Sequence, residues 1–191
     1  APAETMLLYG LDDIRMRRVF IEDAETSDEY KRREHKRLDS LIAYCEAPDC
    51  RRRMLLRYFG ENVEEACGNC DVCLDPVETT DGTLEARMVL AAVQGTGNRF
   101  GVAHIVSVLR GKLNEKIEQQ GHDRLDVYGA GAARSQKEWQ GIIRQMVASG
   151  LLDIDVSGYG GIKMTSTGAA LSRGEGAFRD RAVRLATARS R

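Results

Sequence analysis

The chain has 191 residues, and its 28 basic and 29 acidic side chains give a formal net charge of −1, which by itself offers nucleic acid no general attraction. Hydrophobic residues make up 42% and charged residues 30% of the composition, ordinary globular values that exclude a disordered chain and a collagen. The longest apolar run, residues 88–93, is far shorter than the roughly 20 residues of a membrane helix, and no secretory signal pattern begins the chain.

The first part of the chain predicts one short strand and then helices. Residues 6–9 are an apolar run that fits a buried strand, and a helix is expected directly after them. Thr26 and Glu29 form a capping-box pattern at the start of a second helix, whose apolar residues fall on one face. A third helix, over residues 50–59, is expected to pack antiparallel against the second.

A turn-rich connector over residues 74–83 is the best domain boundary in the chain. The apolar periodicity after it predicts three helices, over residues 84–94, 102–109 and 113–119. These helices would form the first part of a second domain.

The fourth helix of this second domain has the clearest start in the chain, because Ser135 and Glu138 form a capping box. Apolar spacing predicts its buried face: Trp139, Ile142, Ile143, Met146 and Val147. Strict alternation over residues 152–156 and 162–164 then predicts a β-hairpin. The predicted fold class is therefore mainly α with a small β component: an antiparallel helical module followed by a winged helix with one hairpin wing.

The charge is divided unevenly between these parts. Residues 1–76 carry 12 basic and 17 acidic groups, whereas residues 77–172 carry ten of each, so the basic excess lies in residues 173–191. We therefore predict a helical module over residues 22–76, a winged helix over residues 77–172 and a basic linker or tail over residues 173–191. The net charge of −1 is a sum over unlike parts and does not argue against DNA.

Four cysteines follow the pattern Cys50-x16-Cys67-x2-Cys70-x2-Cys73. Zn²⁺ takes four soft ligands in a tetrahedron, and thiolate is the preferred donor in structural sites. A two-residue spacer lets both sulfurs of a pair reach one metal, and Gly68 in the first spacer permits the tight turn. The pattern predicts a closed structural zinc site.

Three other uses of these cysteines stay open on the pattern. The close triplet also suits an iron–sulfur cluster, a single Cys-x2-Cys pair could be a redox site, and a disulfide framework fits only a small secreted domain. The fifth cysteine, Cys45, falls at an apolar helical position and is predicted to be a small core residue. His35, His104 and His122 are isolated in sequence and are interpreted as structural.

Several of these segments, taken in order, resemble one family. Residues 50–52, 58–61 and 67–73 resemble the zinc-binding part of RecQ-family DNA helicases, and the cysteine block is highly specific. The resemblance to the winged-helix (RQC) part of the same family runs through further segments: residues 98–101, 121–125, 127–129 and 143–145. It covers roughly residues 1–172 in unbroken order.

The resemblance implies the C-terminal region of a bacterial ATP-dependent helicase that unwinds DNA in the 3′–5′ direction in recombination and repair. Residues 1–21 would then be the tail end of the second motor lobe. The chain carries neither a Gly-x4-Gly-Lys-Ser/Thr loop nor an Asp-Glu-x-His box. We therefore expect it to be inactive alone, with ATP and Mg²⁺ acting only in the full-length enzyme and structural Zn²⁺ as its own cofactor.

The implied partners are double-stranded or forked DNA, the motor lobes of the same full-length chain, and single-strand-binding protein. The implied location is the bacterial cytoplasm, at the nucleoid, with no membrane partner. Two other functions stay open on the sequence: a zinc-containing winged-helix transcription regulator and a protein-interaction module.

The fourth helix of the winged helix is the first candidate for contact with DNA. Arg134 and Ser135 stand at its N-terminus, where backbone N–H groups favour a phosphate. Lys137 and Arg144 fall on the face opposite the predicted buried residues, with Gly141 between them. These four residues are predicted to bind DNA.

The hairpin and the cysteine-rich module supply the other candidates. Tyr159 lies between two glycines at the hairpin tip and could stack on a terminal base pair, as the strand-separating wedge that the resemblance suggests. Lys163 on the same hairpin is a further candidate. Arg51 and Arg52 could make a local phosphate contact next to Cys50, although the module as a whole is acidic and is interpreted as a scaffold.

Overall fold

The computed structural model describes residues 6–61, 63–76, 78–155 and 161–181. Before the connector the described residues form four helices: α1 (Leu11–Glu22), α2 (Asp28–Glu46), α3 (Arg51–Tyr58) and α4 (Asp71–Leu74). After it come further helices: α5 (Thr83–Gly95), α6 (Val102–Leu109), α7 (Glu115–Gln119), a 3₁₀ turn (His122–Arg124), α8 (Gln136–Ala148) and α9 (Ser166–Ser172). The strands are short: β1 (Thr79–Asp81), β2 (Leu152–Ile154), β3 (Ile162–Met164) and β4 (Arg179–Arg181). None of the helices in these ranges has the length and apolar character that crossing a bilayer requires.

Helix α8 lies at the centre of the winged-helix core, as its capping box and apolar stripe predict. Ser135 Oγ accepts a hydrogen bond from the backbone N–H of Glu138, and the Glu138 carboxylate accepts one from the N–H of Ser135. All five residues of its predicted apolar face are buried. The Trp139 indole N–H donates to the carbonyl of Gly131 at 2.9 Å, so the largest core side chain has its polar group satisfied.

The wing is an antiparallel hairpin of β2 and β3 with a third segment beside it. Ile154 pairs with Ile162, and both face the core. The backbone N–H of Ile162 donates to the carbonyl of Phe100 at 3.0 Å, and the N–H of Met164 donates to Asn98 Oδ1 at 3.0 Å. The segment before α6 therefore extends the wing on the far side of β3.

A second strand pair joins the two ends of the winged helix. Strand β1 pairs antiparallel with β4, with Thr79 opposite Arg181. Phe178 is buried in the core, and Gln145 of α8 donates a hydrogen bond to the buried Asp180 at 3.1 Å. The packed unit thus continues to residue 181, past the predicted start of a linker at residue 173. The sequence gives no apolar signal for β4, because all three of its residues are charged.

The helices before the connector share one core with the winged helix. Ile14 of α1 and Ile42 of α2 are 3% exposed and belong to the same apolar cluster as Trp139 and the rest of the winged-helix core. The two modules predicted from sequence are therefore packed together. Both parts contribute apolar surface to a single interior.

Two predictions near the start of the chain are wrong. Residues 6–9 form no strand, and Met6 and Leu8 are 85% and 84% exposed, since no neighbouring strand among the described residues offers backbone hydrogen bonds. The cap of α2 is Ser27 rather than Thr26: Ser27 Oγ accepts from the backbone N–H of Tyr30 at 3.3 Å. A capping pattern one residue away competes for the same role.

Candidate metal centre and nucleic-acid interface

The four cysteines of the predicted metal site meet in the structure. Cys50 is the N-cap of α3, Cys70 is the N-cap of α4, Cys73 lies within α4, and Cys67 lies in the loop between them. Their Sγ atoms all lie within 4.8 Å of one another. Gly68 has a φ of +65°, a left-handed conformation that turns the chain between Cys67 and Cys70.

Backbone N–H groups donate to two of the four sulfurs. The N–H of Arg51 points to Cys70 Sγ at 3.4 Å, and the N–H of Cys67 points to Cys50 Sγ at 3.3 Å. Hydrogen bonds from the backbone N–H groups of Arg53 and Cys67 lower the pKa of the Cys50 thiol to about 6. Four converging sulfurs, two of which accept backbone hydrogen bonds, fit a structural Zn²⁺, which would cross-link α3, α4 and the loop.

Cys45 does not belong to this cluster. It is half-buried, and burial raises the pKa of its thiol. The side chain therefore favours the neutral thiol, in keeping with a packing role.

Arg51 holds the metal loop to the rest of the helical module. Its guanidinium contacts Asp71 of α4 at 3.0 Å and donates to the carbonyl of Ala47 at 3.2 Å and to that of Tyr44. The side chain is 15% exposed, so its donors are largely used inside the protein. Arg52 is exposed and lines a cavity of about 480 Å³ beside the cysteines.

At the start of α8 the structure brings three predicted DNA-binding residues together, but two of them have partners within the chain. Arg134 pairs with Glu85 at 2.6 Å and lies 3.8 Å from Glu138. Ser135 is used in the capping box. Lys137 is exposed to solvent.

The end of the predicted DNA-binding face of α8 at Arg144 is covered by α2. Arg144 pairs with Glu46 at 2.5 Å, and the Glu46 side chain is only 5% exposed. Gly141 is buried as well. The helical wheel separates apolar from polar positions but does not show whether a second element lies on the polar side.

Of the two remaining DNA-binding candidates, both on the wing, the structure describes only Lys163. Lys163 pairs with Asp155 at 3.0 Å across the hairpin and is half-exposed. Tyr159 lies outside the described residues, since the range 156–160 is not among them. The wedge hypothesis therefore stays a prediction.

Sequence reasoning missed a basic groove between the end of α6 and the start of α8. Its volume is about 330 Å³, and none of its lining residues is acidic: Ala103, Val106, Ser107, Arg110, Lys112 and Gln136. The Nε atom of Arg110 is buried and has no hydrogen-bond partner among the described residues. The pattern Arg110-Gly111-Lys112 directly after a predicted helix was the available signal.

Comparisons with known proteins agree with the site. Residues 11–74 match the family model described as RecQ zinc-binding, and residues 76–187 match the RQC domain. The zinc-binding match begins at residue 11, inside the segment that the sequence analysis assigned to a motor lobe. The match to the zinc-binding family model and the four converging sulfurs together identify the cysteine cluster as a structural zinc site.

The most informative relatives are bacterial proteins named ATP-dependent DNA helicase RecQ. The Pasteurella multocida protein is 38% identical over 152 residues, which is 79% of this chain and 24% of that protein. The Haemophilus influenzae protein is 36% identical over 82% of this chain and 25% of that protein. The Bacillus subtilis protein is 31% identical over 91% of this chain and 29% of that protein. The chain thus spans about a quarter of the length of these relatives.

Proposed function

The chain belongs to the RecQ family, and from this membership we propose that it is the DNA-binding accessory region of a helicase that unwinds DNA in the 3′–5′ direction. In this role it holds duplex or forked DNA in position for motor lobes of the same full-length chain, which bind ATP and Mg²⁺. The relatives are named ATP-dependent DNA helicases, which supports motor lobes as the partner. Work in recombination and repair follows from the same family membership.

The basic groove at the start of α8 is the observation that carries this proposal. Arg110 and Lys112 line it, and Lys137 is exposed one residue after the lining Gln136. The Arg110 guanidinium lining this groove is suited to a phosphate oxygen, because Arg presents several donors in a fixed plane. Cations on exposed surface bind the DNA backbone by displacing counterions, whatever the net charge of the chain.

The predicted DNA contacts fall into two groups on this geometry. Lys137 and Arg52 are exposed and are proposed as direct phosphate contacts, with Lys163 joining them if it exchanges its bond to Asp155 for one to DNA. The ion pairs and hydrogen bonds of Arg51, Arg134, Ser135 and Arg144 favour a supporting role. We propose that these four hold the interface in shape.

Salt-dependent binding to a labelled fork tests the proposal. We expect Arg110→Gln and Lys112→Ala each to weaken binding by roughly three- to tenfold and to reduce the slope of log K against log salt by about one. Lys36→Ala on exposed α2 is the matched control and should leave both quantities nearly unchanged. Unchanged melting temperatures confirm that the variants are folded.

The same titration separates the alternative functions. Equal affinity for a blunt palindromic duplex would favour a transcription regulator, which reads two half-sites as a dimer. Binding without a salt slope would favour a protein-interaction module. Single-strand-binding protein and a nucleoid location in the bacterial cytoplasm are further proposals that rest on the family resemblance.

A further inference from the structure

The wing hairpin is held on its outer face by a charged residue of another part of the chain. Arg18 lies on α1, and its side chain is 9% exposed. Its Nη1 atom contacts Asp153 Oδ1 of strand β2 at 2.7 Å, and its Nη2 atom contacts Asp39 Oδ1 of α2 at 2.7 Å. One guanidinium therefore joins the helical zinc module to the wing.

From this arrangement we propose that Arg18 is a positioning residue that sets the placement of the wing for DNA binding. The proposal rests on the DNA-binding function proposed above. It concerns how the wing is oriented, and no contact between Arg18 and DNA is invoked.

The geometry of β2 shows why this bond fixes the hairpin. Leu152 and Ile154 point into the core, whereas Asp153 between them points outward. Hydrogen bonds to Phe100 and Asn98 hold strand β3, whereas the burial of Leu152 and Ile154 is not directional and does not by itself fix the placement of strand β2. The bond from Asp153 to Arg18 adds a directional, charge-assisted contact on the opposite face.

The wing itself does not supply a substitute for this bond. Lys163 stands directly across from Asp153 in the strand register, yet it pairs with Asp155 at 3.0 Å. Asp153 instead accepts from Arg18 and from the backbone N–H of Ile154. Arg18 is therefore the cation that engages Asp153 among the described residues.

The two carboxylates also oppose one another. Burial raises the pKa of Asp39, Arg18 lowers it, and Asp153 raises it again by repulsion. Without the guanidinium between them, the carboxylates would push α2 and β2 apart. The link is separate from the contact of Arg144 with Glu46, which attaches α8 rather than the wing.

Asp153→Asn tests the proposal in the full, zinc-loaded chain, because it replaces the charge-assisted bond of Arg18 to the wing by at most a neutral hydrogen bond and leaves the bond between Arg18 and Asp39 in place. Removing a negative charge should by general electrostatics tighten DNA binding. Positioning predicts the opposite sign: fork binding weaker by roughly three- to tenfold. Asp126→Asn, at an exposed carboxylate of the same domain, is the matched control and should bind no more weakly than the unaltered chain.

Amide hydrogen exchange supplies a readout that does not depend on DNA. We expect faster exchange in β2 and β3 of Asp153→Asn, with unchanged exchange in α8. Unchanged exchange in the wing overturns the proposal whatever the binding result, and so does faster wing exchange with fork binding equal to that of Asp126→Asn. If the unaltered chain binds no fork, the proposed function fails, and the exchange result still decides whether Arg18 holds the wing.

Discussion

His104 and His122 form a pair that the fold keeps neutral. Nε2 of His104 and Nδ1 of His122 are 2.8 Å apart, and the Phe100 ring stacks on His104 at 4.2 Å. Burial lowers the pKa of His104 to about 4, with His122 and Lys116 acting in the same direction. The pKa of His122 is also lowered, mainly by burial.

This pair predicts a loss of stability in mild acid. The unfolded chain binds protons at His104 near pH 6.5, whereas the folded chain resists protonation until about pH 4, so stability is complete above pH 6.5 and falls as the pH drops through that window. His104→Gln keeps a hydrogen-bonding amide without the titration. The stability difference between the two proteins should change by about 1–2 kcal/mol between pH 7 and pH 4.5, after allowing for solvent screening.

Urea unfolding at a series of pH values measures this difference. Carboxylates and metal ligands titrate in both proteins, so their effects cancel in the comparison. A constant difference across the window would show that the pair does not carry the acid sensitivity.

At the scale of elements, the carboxylate of Glu46 forms an ion pair that joins α2 to α8. The carboxylate accepts hydrogen bonds from Arg144 and from the hydroxyl of Tyr9, and its second oxygen is buried with no partner in the part of the chain that the structure describes. Burial raises the pKa of the Tyr9 hydroxyl above its ordinary value, and the hydrogen bond to Glu46 raises this pKa as well. The Glu46 carboxylate is therefore a buried polar contact within the packing of α2 against α8.

Glu46→Ala should therefore destabilise the chain by about 2–3 kcal/mol, because it leaves the partly buried Arg144 without a counter-charge. Glu29→Ala, at an exposed position of the same helix, should cost less than about 0.5 kcal/mol. Denaturant midpoints of the two variants make the comparison. Equal midpoints would mean that apolar contacts alone join α2 to α8.

Local signals in the sequence predicted local structure. They did not predict which helix faces are buried by contacts with distant parts of the chain. The capping box at Ser135 and the spacing of the cysteines specify a helix start and a metal site within a few residues. Arg144 was predicted to face DNA because it lies opposite the apolar face of its helix. Its partner, Glu46, is 98 residues away in the chain, so no local pattern reveals the pairing. Strand β4 was missed for a related reason, since it is stabilised by pairing with β1 rather than by its own composition.

At the scale of the whole molecule, zinc should stabilise more than the cysteine-rich loop. Ile14 and Ile42 belong to the same core as the winged helix, and Arg51 connects the metal loop to the end of α2. Complete chelation should reduce helicity and lower the melting temperature of the entire chain by at least about 5 °C.

Circular dichroism with metal analysis checks this expectation, and added Zn²⁺ should restore both signals. Retained helicity with unchanged melting after complete metal removal would contradict it. A second, unshifted transition would mean that the winged helix folds independently of the zinc module.

The pairing of β1 with β4 has a mechanical consequence. Because Thr79 lies opposite Arg181, the chain enters β1 and leaves β4 at the same end of a ladder of three residue pairs. Tension applied through both ends opens such a ladder one pair at a time, in the unzipping direction. Opening the ladder also requires the bonds between Arg181 and Gln145 to break, so β4 passes the load directly to core helix α8.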